Sequence, residues 1–86
     1  MSQWPDWWEW ELDVSNPHLR DNMVIRRFSE VDLRDMMEHA RKLVRDVVPG
    51  RWIAETQFDN ADWEVIVEPD AGKQRLIVVT AYEVYE

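Results

Sequence analysis

His18 follows Asn16-Pro17, a pair suited to a helix N-cap and to the first helical position, so its imidazole falls in the first turn of a helix. There the positive end of the helix dipole disfavours the protonated ring and leaves a neutral imidazole able to act as a general base. Cleaving RNA through its ribose 2′-hydroxyl needs such a base, an acid, and cations set against a charge-rich transition state. Arg26, Arg27 and Arg51 are the candidate cations. Each of these residues also has an ordinary reading. His18 can simply cover the helix start, while Arg26 and Arg27 fall where a helix should end and its dipole favours cations. Arginine stems also commonly cover apolar surface. His39, among Glu38 and Arg41 on a polar helix face, reads as a surface residue.

Charge opposes that chemistry. Ten basic and eighteen acidic residues give the 86-residue chain a net charge of −8, which repels polyphosphate and removes most of the counterion-release gain behind nucleic-acid binding. Residues 1–16, 17–51 and 52–86 carry −4, +2 and −6, so a basic zone survives only in the middle. With no cysteine, disulfides, thiolate zinc sites and cysteine catalysis are excluded, and a reducing, cytoplasmic setting is expected. The first ten residues lack the basic and apolar pattern of a secretory signal. No apolar run approaches the roughly 20 residues of a membrane span.

The elements that must position these groups follow from periodicity. The length suits one domain over residues 1–86, with residues 1–7 as a Trp-rich acidic arm. Trp8 to Val14 alternates apolar and acidic residues, the period of a half-buried strand. Pro17 then opens a helix expected to reach about Arg27. Ser29, with Asp32 three residues on and Phe28 able to staple onto Leu33, starts a second helix. Its apolar stripe runs Leu33, Met36, Met37, Ala40, Leu43, Val44. Pro49-Gly50 ends this helix or the loop after it. Three strands are expected at Arg51 to Phe58, Trp63 to Glu68 and Arg75 to about Tyr82, joined by turn-rich Asp59 to Asp62 and Pro69 to Gly72. Leu76 to Ala81, apolar on both faces, belongs inside the sheet, and the alternating strands belong nearer its edges. The expected fold is α+β, in the order β-α-α-β-β-β: a two-helix hairpin packed on a four-stranded antiparallel sheet.

That order, with His18 opening the first helix, Met23 and Arg26-Arg27 closing it, Phe28-Ser29-Glu30 starting the next and Gly50-Arg51 entering a strand, resembles a known group, as do Trp63 to Asp70 and Val79-Thr80-Ala81-Tyr82. It is similar to small bacterial proteins of unknown function related to RelE- and ParE-like toxins. The resemblance implies RNA cleavage by polar residues at the helix start and on the sheet, places that His18, Arg51, Thr80 and Tyr82 would fill. It implies equally a non-catalytic relative within a toxin–antitoxin-type system. Asn22 stands where such sequences often carry a basic residue before the helix methionine, and the acidic balance is a second departure.

Strand alternation directs Trp8, Trp10, Leu12, Trp63, Val65 and Val67 at the helices and leaves Glu9, Glu11, Asp13, Glu64 and Glu68 on the opposite face. If Arg51, Glu55 and Gln57 share that face with Thr80 and Tyr82, the surface where RNA would sit is lined with carboxylates. Such carboxylates suit a solvated face that keeps an edge strand soluble. Hard divalent cations also favour clustered oxygens, but no calcium-loop spacing organises these, and neither a metal nor a cofactor is expected. Trp4, Trp7 and Trp8 either fold back over the sheet or meet a partner, since tryptophan is enriched at interface hot spots. A second function therefore stands beside RNA cleavage: an acidic inhibitor- or immunity-like module docking on a basic protein. In a third, the Trp-rich arm or an edge strand joins a homodimer. Arg26, Arg27, Glu68, Trp4 and Trp7 are the candidate binding residues, RNA is disfavoured by charge, and no membrane partner is expected.

Overall fold

The structure, a computed structural model, describes residues 4–85; residues 1–3 of the expected N-terminal arm and Glu86 lie outside the described residues. A 3₁₀ turn, Asp6–Glu9, leads into β1 (Glu11–Asp13), α1 (Pro17–Arg26), α2 (Glu30–Glu38), β2 (Lys42–Arg45), β3 (Trp52–Phe58), β4 (Ala61–Asp70) and β5 (Arg75–Glu83). The fold is α+β. Its sheet has five strands in the order β1-β5-β4-β3-β2. β2 to β5 form an antiparallel meander, and β1 closes the far edge parallel to β5. The expected four antiparallel strands are therefore corrected to a five-stranded mixed sheet.

The extra strand comes from the end of the expected second helix. α2 stops at Glu38, and Leu43 and Val44, assigned by spacing to its apolar stripe, lie in β2 opposite Ala54 and Ile53. Two contacts mark the end of the helix. After the last helical bond, from the His39 amide to the Asp35 carbonyl, the Thr56 hydroxyl donates to the Met36 carbonyl at 2.6 Å and the Arg41 amide turns to the Glu55 carbonyl at 2.8 Å. A short run with Leu43 on one face and Val44 on the other satisfies strand and helix patterns alike, and sheet pairing selects the strand.

The first strand is also shorter than its alternation suggests. Trp8 and Glu9 lie in the 3₁₀ turn, fixed by Trp8 and Trp10 amides bonding to the Pro5 and Trp7 carbonyls. The turn brings aromatic rings together: Trp4 stacks on Trp8 at 4.7 Å between ring centroids, and Trp7 packs on Trp52 at 5.5 Å. Trp8, Trp10 and Leu12 still pack against the core, as the alternation requires.

Local signals account for the helix ends. Asn16 Oδ1 accepts the His18 amide, and Arg27, at φ 57°, ends α1 in the left-handed conformation. Ser29 and Asp32 form a reciprocal capping box on α2, a device that contributes roughly 0.5–2 kcal/mol. Phe28 and Leu33 are both buried in one cluster, as the staple requires. Asp59 and Asn60, both at positive φ, make the tight two-residue turn between β3 and β4.

The helices cover one sheet face, α1 against β5 and α2 against β3 and β4. Leu19, Leu33 and Met36 meet Val65, Val67, Leu76 and Val78 there, all fully buried. β5 lies inside the sheet as expected, but the alternating β4, not an edge strand, is the middle one. Among the described residues, no helix is long and apolar enough to cross a membrane.

Candidate functional site

No helix packs on the other sheet face, and strand register lays it out in rows. Lys42, Glu55, Glu64 and Tyr82 form one row across β2, β3, β4 and β5. Val44, Ile53, Ile66 and Thr80 form the next, and Glu68, Ile77 and Asp13 the one beyond it. An apolar band, half-buried at Val44 and Ile53 and buried at Ile66, thus runs between two charged rows. Carboxylates dominate the rims: Glu55, Asp62, Glu64 and Glu68, with Glu11 and Asp13 at the β1 edge, against Lys42, Arg51 and Arg75.

A β-bulge decides which side chains reach this face. Val67 pairs with Val78 but Ile66 pairs with Thr80, so β5 carries one extra residue, Val79. Strict alternation from buried Leu76 and Val78 would send Thr80 and Tyr82 into the core. The bulge shifts the phase, putting Ala81 in the core and Thr80 and Tyr82 on the open face beside Ile66 and Glu64.

The structure therefore brings Arg51, Glu68, Thr80 and Tyr82 to one face, each already engaged. Arg51 Nε lies 3.3 Å from Glu68 Oε1. The Tyr82 hydroxyl donates to Glu64 Oε1 at 2.6 Å. Thr80 Oγ1 accepts from Asn22 Nδ2 of α1. Sequence reasoning missed this last link, because nothing local announces a contact spanning 58 residues. His18 is exposed at the start of α1, and among the described residues no hydrogen bond or ion pair joins it to Arg51, Thr80 or Tyr82. Arg26 and Arg27 are exposed at the end of α1. Trp4 and Trp7 sit on the helix side with Trp8 and Trp52, away from the open face.

Burial, the hydrogen bond to Glu64 and the charges of Glu64 and Asp46 push the Tyr82 phenol up to about 12. A phenol so disposed keeps its proton and accompanies a carboxylate rather than serving as an acid near neutrality. Because the folded value lies above the unfolded one of about 10, this group supports folding below pH 10, and that support is lost as pH rises toward 12. In a Tyr85→Phe background, spectrophotometric titration should place Tyr82 ionisation well above that of a free tyrosine, and Glu64→Gln should lower it. An unchanged titration in Glu64→Gln would show that the carboxylate does not hold the proton.

A groove of about 450 Å³ adjoins the first charged row, lined by Arg41, Lys42, Glu55, Thr56, Asp62, Trp63, Glu64 and Val84. At the end of α2, exposed Asp35, Glu38 and His39 bring potential ligand atoms within 4.8 Å of one another. The Asp35 carbonyl, 2.9 Å from His39 Nδ1, and then the Asp35 carboxylate raise the ring's pKa. His39 Nδ1 also lies 3.3 Å from an Asp35 carboxylate oxygen, a contact that is an exposed ion pair when the ring is protonated. His39 is a surface residue, as its sequence position implies.

Comparison of the chain with protein-family models, curated proteins and solved structures finds no match.

Proposed function

We propose that this chain is a non-catalytic protein-interaction domain whose open sheet face docks a basic partner, on a scaffold related to the RelE/ParE-like toxin fold. The observation that carries this reading is the apolar band of half-buried Val44 and Ile53 with buried Ile66, set between carboxylate-rich rows on the face opposite the helix-packed core. An apolar strip rimmed by charge of one sign suits a partner of the opposite sign, with the band supplying contact area and the rims supplying steering and register. Supporting the toxin-like scaffold are the succession of strand, helix hairpin and antiparallel meander, and the bulge that brings Thr80 to the face of Arg51.

Three of the four groups that catalysis would require are already committed, and the fourth, His18, is joined to none of them. Arg51 is neutralised by Glu68, Tyr82 is held protonated against Glu64, and Thr80 is bonded to Asn22. With the face carrying more carboxylates than cations, phosphate contacts would gain little.

Affinity capture from cells that encode the protein should recover a basic protein with the wild type, decreasingly as salt is raised, and not with Glu55→Lys/Glu64→Lys. The purified domain should neither bind nor cleave naked RNA at physiological salt. Recovery undiminished in the charge-reversed variant would remove the open face as the docking surface. RNA cleavage abolished by His18→Ala or Arg51→Ala would replace this reading with a toxin-like ribonuclease.

A further inference from the structure

We infer that the outer edge of β2 is a second docking site, which takes an acidic extended peptide as an added strand. β2 ends the sheet, so one side of its backbone has no strand partner among the described residues. The Asp46 amide bonds to the Arg51 carbonyl at 3.0 Å, which sets the phase of the ladder. Residues of an antiparallel strand alternate between facing their partner and facing away. Val44 therefore faces β3, and Leu43 and Arg45 turn their N–H and C=O groups outward. An added strand bonds to groups of this kind, while its alternate side chains enter neighbouring pockets.

Such a pocket lies beside the edge. A groove of about 500 Å³ is lined by Trp4, Pro5, Arg41, Lys42, Leu43 and Trp52. Two indole rings, a proline and a leucine line it with apolar surface, and its volume leaves ample room for an aromatic side chain.

Charge selects the occupant. Arg41, Lys42 and Arg45 put three of the chain's ten basic residues within five positions of a protein of net charge −8. None of the three forms an ion pair among the described residues. The Arg45 guanidinium instead lies 5.1 Å from the Trp52 ring centroid, at the groove. Two copies pairing through β2 would set bases against bases, which is destabilising across strands. The acidic β1 edge of another copy is a poorer fit than a free peptide. It is three residues long, and its one inward apolar side chain, Leu12, is already packed in its own core. A carboxylate-bearing strand with one large apolar residue satisfies the edge, the groove and the cations together. The site shares Lys42 with the rim of the acidic sheet face but takes an occupant of opposite charge, so a basic partner on that face and an acidic strand at this edge are told apart by which peptide binds.

The test titrates the full chain with a blocked synthetic extended peptide that carries glutamates on both faces and a single phenylalanine, read by tryptophan fluorescence and by exchange of the Leu43 and Arg45 amides. The acidic peptide should bind and protect both amides, and its lysine counterpart should not bind. Arg41→Glu/Lys42→Glu, at two exposed positions, should weaken binding roughly tenfold while circular dichroism shows the fold retained. N-methylation of alternate peptide amides should abolish binding with the protein unaltered. Four results would overturn the inference: no binding at millimolar peptide, equal binding of the lysine peptide, indifference to N-methylation, or self-association that Arg41→Glu/Lys42→Glu removes, which would assign the edge to a second copy.

Discussion

Leu33→Ala should lower the unfolding free energy by roughly 2–5 kcal/mol, read as a lower denaturant midpoint at unchanged slope. Leu33 is fully buried on α2 and belongs to the cluster that joins both helices to β4 and β5. Truncating it loses the transfer free energy of three carbons and leaves a cavity whose size depends on how far Met36, Met37 and Phe28 can move in. It also removes the partner of the Phe28 staple, so the entry of the chain into α2 loosens with the core. For a small domain whose total stability is about 5–15 kcal/mol, such a loss is a large fraction of the whole. A change below about 1 kcal/mol would mean that methionine flexibility fills the space, and that the helix hairpin is held mainly by its caps.

Thr56→Val should cost about 1–3 kcal/mol although it preserves side-chain shape. Thr56 is the buried polar residue of the core, and its hydroxyl reaches the Met36 carbonyl at 2.6 Å. The last carbonyls of a helix have no intrahelical donor. At this end the Asp35 and Met37 carbonyls accept from the His39 and Ala40 amides, while Met36 depends on the sheet. Valine would leave that carbonyl buried without a donor. Thr56→Ser, which keeps the hydroxyl and loses a methyl, should retain most of the stability. If serine and valine were equally destabilising, packing and not the hydrogen bond would account for the role of Thr56.

Much of this protein is determined within short stretches of chain. Asn16-Pro17, Ser29 with Asp32, and Phe28 with Leu33 set where the helices begin, because capping and stapling act over four or five residues. Asp59-Asn60 sets the β3–β4 turn, because both residues tolerate positive φ. The alternation of Trp63, Val65 and Val67 determines which face of β4 is buried. Composition alone sets the charge that argues against binding RNA. Tertiary structure decided the rest, wherever a local pattern had two solutions. Leu43 and Val44 fit a helix stripe or a strand, and pairing with Ala54 and Ile53 chose the strand. Trp8 fits an extended alternation or a turn, and stacking with Trp4 chose the turn. Thr80 and Tyr82 reach the face of Arg51 and Glu68 only because one extra residue, Val79, shifts the phase of β5. A bulge depends on the partner strand, so no pattern within β5 itself reveals it. Nor does any local pattern show that Asn22 meets Thr80, that Glu64 holds the Tyr82 proton, or that Arg51 is matched by Glu68: each pair is made by folding, between residues 17 to 58 positions apart.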